Sequence, residues 1–390
     1  MFRNIFSLAT AIIICLYDPV RANEETPASE APAPVVAVAA AQAARVQLAL
    51  LLDTSNSMDG LITQAKDQLW DVVNTVSHLR RTGQKATLEV ALYEYGNDGI
   101  PAGEQHLRQV LPFSSELDKI SEKLFSLTTN GGSEYCGAVI KSALNDLAWD
   151  KDSSTLRLVF IAGNESFAQG QVDYATFCKQ AGTAGILVNS IFCGDRQEGV
   201  DTFWQRGADL GRGEFFNIDK DLRCDIVTPF DAEIQRIGKE INETYIPYGH
   251  RGDEGKRCQQ VQDYNYSSSG NNDANTKRQL SKSSSIYCND DWDLVDAYLN
   301  KKVVITTVEV KLLPEAMRGM SSEERLRYVE RMAERRGALK ERLRVLERER
   351  AAWIKNQAAT VEGQAQQRLG GAIEKAIITQ AVLLGFTHEP

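Results

Sequence analysis

The chain has 390 residues, 43% of them hydrophobic, which is enough for one full-sized core and an appendage. A formal net charge of -9 argues against general electrostatic attraction to nucleic acid or an anionic membrane surface. The four histidines, His78, His106, His250 and His388, are scattered without metal-ligand spacing, which argues against a zinc enzyme.

Residues 1–22 read as an export signal. Arg3 supplies positive charge, residues 5–16 are apolar, and Val20, Arg21 and Ala22 make a small-residue cleavage site. The apolar stretch is short for a membrane span, and Ile14 is too large for a good lipid-attachment box before Cys15. No other segment is apolar enough to cross a bilayer, so an exported protein, periplasmic or extracellular, is expected. Residues 23–44, rich in Ala and Pro, read as a flexible tether.

From Val46 onward buried-looking strands alternate with helices. Strands are expected at 46–52, 86–95, 107–113, 156–163, 186–194 and 213–218. Helices are expected at 60–79, 117–127, 135–149, 173–181, 201–210 and 231–242. This pattern predicts a doubly wound, mainly parallel α/β sheet flanked by helices over residues 45–248. Residues 249–286 are polar and read as a loop region. Residues 287–390 read as a mainly helical, partly coiled-coil C-terminal region. Within it 287–300 is helical and 303–310 resembles a strand. Ser321 and Glu324 form a capping box, and a charged helix follows with Leu339, Leu343, Leu346 and Trp353 at helical steps. Its arginines and glutamates read as a solvated face. Gly370 and Gly371 break the pattern before a last helix at 372–386.

Once the export signal is removed, Cys136, Cys178, Cys193, Cys224, Cys258 and Cys288 remain. An even count in an oxidising compartment favours disulfides. Cys258 and Cys288 flank the polar loop and are the expected pair; the other four are either paired or buried free thiols.

The first strand ends in "DTSNS", five oxygen-bearing side chains in succession. A single helix cap needs one such residue. Asp53, Ser55 and Ser57 point the same way if the chain turns tightly, and their oxygens are hard donors suited to a magnesium-like ion. Few charged ligands leave such an ion electrophilic and partly hydrated, ready for a partner's carboxylate.

"DTSNS" resembles the D-x-S-x-S metal-site motif of the von Willebrand factor type A family, the fold of integrin I domains. "LTTNGGSEYCGAVIKSAL", "LRLVFIAGNESF" and "LVNSIFCGDRQEGVDTFWQRGADLGRGEFFNI" resemble, in order, that family's glycine-rich loop, its last metal-site strand and its closing strand–helix–strand. The resemblance implies a metal-ion-dependent adhesion site holding a divalent cation, Mg2+ foremost with Mn2+ or Ca2+ as alternatives. It also implies a protein partner bound through an acidic residue, without catalysis. The family's threonine falls on Ser133. Its second aspartate falls on Gly163, so that carboxylate is missing; Asn164, Glu165 and Glu134 are the residues that could substitute. The expected ligand set is Asp53, Ser55, Ser57 and Ser133, with Glu165.

Two other readings compete. Ser133 or Cys136 could act as a nucleophile, but no histidine lies near either in sequence. Alternatively the charged C-terminal helix is the active element of an envelope scaffold, and the α/β domain is a metal-free platform. N-x-S/T triplets at Asn164, Asn242 and Asn265 are short enough to arise by chance.

Overall fold

The computed structural model describes residues 44–223, 225–357 and 368–389; the expected export signal, nearly all of the tether, and Cys224 lie outside the described residues. Strand β1 (Arg45–Asp53) carries the aliphatic run, and every side chain after Arg45 is buried. Successive strand side chains alternate in direction, so Leu48, Leu50 and Leu52 enter one core while Ala49 and Leu51 enter another. Both faces therefore need cover.

Alternating elements supply it. They are α1 (Asp59–Ser77), the small hairpin β2 (Leu79–Arg81) and β3 (Gln84–Lys85), β4 (Thr87–Tyr95), β5 (Leu107–Ser114) and α2 (Leu117–Phe125). There follow α3 (Cys136–Asp146), β6 (Leu156–Gly163), α4 (Tyr174–Thr183), β7 (Leu187–Cys193), α5 (Arg196–Asp201), α6 (Trp204–Leu210) and β8 (Arg212–Ile218). The sheet order is β5-β4-β1-β6-β7-β8, parallel except at the edge strand β5. One face packs on α1 and α2, the other on α3, α4 and α6. The doubly wound α/β sheet expected from the sequence is present. The single helix expected at 201–210 is two, broken where Phe203 takes a left-handed backbone (φ 72°).

Past α7 (Asp231–Asn242) the structure departs from the sequence expectations. The polar stretch 249–286 is not a loop but two helices, α8 (Gly252–Ser268) and α9 (Asn272–Ser281). They pack over α1, α2 and α7. Their polar residues are buried because each meets a partner. Ser121 Oγ donates to Gln262 Oε1 at 2.8 Å, and Lys282 Nζ to Asp263 Oδ2 at 2.8 Å. Helix α10 is confined to Leu294–Leu299; residues 287–293, also expected to be helical, are turn and irregular, with Asp293 capping the helix by accepting the Asp296 N–H at 2.8 Å. The stretch 303–310 is not a strand. It holds one 3-10 turn (Ile305–Thr307), a second begins at its end (Val310–Leu312), and Val304 and Val310 are exposed, so β-branched composition alone did not make a strand here.

After the short α11 (Glu315–Arg318) comes α12 (Ser322–Gln357), which opens with the expected capping box: Ser321 N–H donates to Glu324 Oε2 at 2.7 Å. Its buried stripe is Arg325, Val329, Arg336, Leu343, Leu346 and Arg350, and it packs on α7, α9 and α10 of the same chain. The helix is thus neither wholly solvated on its arginine side nor paired with a second long helix among the described residues. Helix α13 (Leu369–Leu383) lies against α1 and the β6–β8 half of the sheet. Gly370 does not break it; a Cβ there would sit 2.5 Å from Gln68 Oε1, so glycine permits the close approach. Strand β9 (Phe386–His388) then pairs antiparallel with β2.

The cysteines correct another expectation. Cys136, Cys178, Cys193, Cys258 and Cys288 are all free thiols. Cys136, Cys178 and Cys193 are packed in the sheet cores. Cys258 is half-buried on α8, while exposed Cys288 accepts a hydrogen bond from Asn300 Nδ2 at 3.1 Å; the two do not pair.

Candidate metal centre

Strands β1, β4 and β6 run parallel and in register, with Asp53 opposite Tyr95 and Leu52 opposite Ala162. Asp53, Gly96 and Gly163 therefore mark the carboxyl ends of three adjacent strands. The chain passes from β1 to β4 on one side and later to β6 on the other, so Asp53 stands where the strand order reverses. Sheets of this kind bind ligands there.

Backbone bonds tie the surrounding loops together. Thr54 N–H donates to Tyr95 O (2.8 Å), Asn130 N–H to Thr54 O (3.0 Å) and Asp98 N–H to Gly131 O (2.6 Å). Within this frame Asp53 is fully buried, and its Oδ1 accepts the Ser55 N–H at 2.7 Å. Ser55 Oγ and Ser57 Oγ lie 3.2 Å apart, and Ser57 Oγ donates to Asn164 Oδ1 at 3.3 Å. None of these side chains caps the 3-10 turn at Asn56–Met58 or α1, so ordinary helix capping does not account for them.

Glu134, outside the expected ligand set, joins Asp53 at the site. It is buried, and its Cγ and Asp53 Oδ1 lie 2.7 and 2.8 Å from the point a Cβ on Gly96 would occupy. The Glu134 side chain thus meets the Asp53 carboxylate over the glycine, which adopts φ 76°. Asp53 Oδ2 and Glu134 Oε2 are both buried without a hydrogen-bond partner. Among the described residues no Lys, Arg or His forms an ion pair with either. Burial, and then the neighbouring Asp53, push the Glu134 carboxyl up to about 9; burial raises Asp53 too.

The remaining expected ligands sit on the rim. Ser133 is half-buried in the loop beside Glu134, and no hydrogen bond joins its hydroxyl to the cluster among the described residues. Glu165 is exposed, its carbonyl accepting Trp204 Nε1 at 2.7 Å; its charge adds to the upward shift of Asp53. The fold also brings in a histidine that sequence distance hid. His106 Nδ1 is 3.5 Å from Asp98 Oδ1, and its ring lies edge-on to Tyr135.

Six strands in this order, one antiparallel edge, and D-x-S-x-S leaving the central strand decide the fold. It is the von Willebrand factor type A fold. No protein-family model matches the chain, and no curated protein does. Solved structures with likeness to it include the conserved hypothetical protein BatB from Bacteroides thetaiotaomicron. That match has 17% identity and a TM-score of 0.34, and covers 45% of this chain and 90% of that one. The SpRpn10 VWA domain matches at 12% identity and a TM-score of 0.34, over 44% and 87%. Proximal thread matrix protein 1 from the mussel byssus, with a zinc-occupied MIDAS motif, matches at 12% identity and a TM-score of 0.33. It covers 45% of this chain and 42% of that one, so this chain spans less than half of that protein's length.

The donors at the type A site are carboxylate, hydroxyl and amide oxygens, the hard set that a magnesium-like ion takes. No group of three His, Cys, Asp or Glu side chains able to hold a metal occurs among the described residues. A cation here would depend on serine and amide oxygens and on water besides carboxylate. With two orphaned, buried carboxylate oxygens and no cationic side chain paired with them among the described residues, the residues present fit a divalent ion.

Proposed function

We propose that this protein is an exported, non-catalytic binding protein that captures a partner protein at the type A strand-end site, with Asp53, Ser55 and Ser57 holding a divalent cation. The observation that carries this reading is Asp53 itself, whose Oδ2 is buried, unpartnered and adjacent to hydroxyls that cap nothing. When bound, the ion would supply positive charge to an incoming carboxylate. The chain's own part is to hold the oxygens in place: the Ser55 N–H fixes the Asp53 carboxylate, and Asn164 orients Ser57. Ser133 and Glu165, at the rim, are available to water or to the partner.

The non-catalytic part of the proposal is supported by Cys136. It is buried, its thiol is pushed far up by burial, and its Sγ lies 3.8 Å from Tyr95 Oη rather than beside an imidazole. Export is supported by the N-terminal sequence, and no helix among the described residues is long and apolar enough to cross a membrane.

The test is Mn2+ and Mg2+ titration calorimetry of the full chain, with partner capture from an envelope extract in parallel. Wild type binds one ion and captures a partner; chelation removes capture, Mg2+ or Mn2+ restores it, and Asp53→Ala abolishes both. Capture indifferent to chelator and to Asp53→Ala sinks the proposal.

A further inference from the structure

The family to which this fold is similar places a carboxylate where this chain has Gly163. Position 163 has no room for one. A Cβ on Gly163 would lie 2.5 Å from the Tyr95 hydroxyl and 3.1 Å from Asp53 Oδ2. Contacts that short are not tolerated between a Cβ and a hydroxyl held in place, and this hydroxyl is held. Tyr95 is fully buried, and its Oη donates to Ala162 O at 2.9 Å. No side chain fits at position 163 while Tyr95 stays.

The opposite side of Asp53 has been opened instead. Gly96 has a left-handed backbone, and any Cβ there would collide with both Glu134 and Asp53. Glu134 fills that opening. Its backbone N–H donates to Gln169 Oε1, which anchors the loop to the 163–170 segment. Glu134 and Asp53, from different loops, meet at Gly96, each keeps one buried carboxylate oxygen without a partner, and among the described residues no basic side chain pairs with either; together they constitute an incomplete site. Burying a carboxylate without a partner is costly, and one divalent ion would satisfy both.

We infer that Glu134 is the second carboxylate ligand of the cation site, relocated from position 163 to the glycine-rich loop because the Tyr95 hydroxyl occupies the room at Gly163. The inference rests on the cation-site reading proposed above, and it makes the site's charge equal to that of a two-carboxylate shell.

The experiment uses the full chain with Mn2+ as probe, by titration calorimetry and by melting with and without the ion. Wild type binds Mn2+ and melts higher with it. Glu134→Gln weakens binding about tenfold or more, since affinity follows the ligand charge count. In the Glu134→Gln background, Tyr95→Phe with Gly163→Asp restores Mn2+ affinity by returning the charge to position 163. If wild type binds Mn2+ and Glu134→Gln binds it equally well, Glu134 is no ligand, and the inference falls while the cation site stands. If wild type itself binds neither Mn2+ nor Mg2+, the cation site falls and takes the inference with it. A lower metal-free melting point with an undiminished Mn2+ effect would assign Glu134 a packing role only. Failure of the relocated aspartate to rescue would overturn the part given to Tyr95.

Discussion

Asp263 on α8 shows how single residues govern this protein away from its site. Its Oδ1 accepts Arg278 Nε at 2.9 Å and its Oδ2 accepts Lys282 Nζ at 2.8 Å, both from fully buried side chains. Burial by itself would raise this carboxyl, but Lys282 and Arg278 together outweigh burial and hold it down at about 2, against an ordinary value of 3.8. A depressed carboxyl contributes stability that is complete above its unfolded value and vanishes as pH falls through its folded value. The contribution is about 2 kcal/mol, present above pH ~4 and lost by pH ~2. In urea denaturation the stability gap between wild type and Asp263→Asn should shrink by that amount between those two pH values; a gap that stays constant would refute the linkage. None of this is legible locally, because Asp263, Arg278 and Lys282 lie in a stretch whose polarity reads as loop. By contrast Asp53, Ser55 and Ser57 could be singled out from sequence, since hard oxygens packed into five residues after a buried strand serve no core. Glu134 was visible only as one of three substitutes, because nothing local says that Gly96 leaves it room.

At the scale of an element, α12 is the instructive case. The leucines make its stripe readable, whereas its arginines read as a solvated face. Arg336 instead sends Nη1 to Asp293 and Asp296 at 2.6 Å each and Nη2 to Thr244 O at 2.7 Å, and lies 3.9 Å from the Tyr245 ring. Arg350, farther along the same face, reaches Asp231 at 2.9 Å and Asp273 at 2.6 Å, near the N-termini of α7 and α9. Periodicity cannot separate such a residue from a solvated one; only the acids arriving from α7, α9 and α10 do so. Removing one partner of a buried ion pair strands the other, so Arg336→Ala should cost about 3–5 kcal/mol in chemical denaturation. Arg335, one residue earlier, pairs with Glu243 at 2.7 Å across exposed surface, and Arg335→Ala should cost about 1 kcal/mol or less. Equal losses in the two variants would show that Arg336 is not the clamp described here.

Over the whole molecule, the chain end is part of the sheet domain. Leu369, Ile373 and Ile377 of α13 and Phe386 of β9 are buried in the same core as β1 and α1. Asn189 on β7 exchanges two hydrogen bonds with Gln380, at 2.6 and 3.1 Å. Four large apolar side chains at about 1.5–3 kcal/mol each approach the entire stability of an ordinary domain. Deleting residues 358–390 should therefore give aggregated protein or a melting point lower by tens of degrees, rather than a free-standing type A domain; a truncated chain melting like wild type would contradict this. It also means that variants on the exposed face of α12, not deletion of the C-terminal region, are the proper test of a scaffold role. What the sequence by itself determined were the buried strands, their order of helices, and the oxygen cluster after β1, because burial on both faces and hard-donor chemistry are local properties of residue type. Tertiary structure alone decided the helices of the polar stretch, the buried arginines, the free thiols and the place of Glu134. Each of these depends on partners distant in the chain, and whether a charge is buried or solvated is settled only by what arrives beside it.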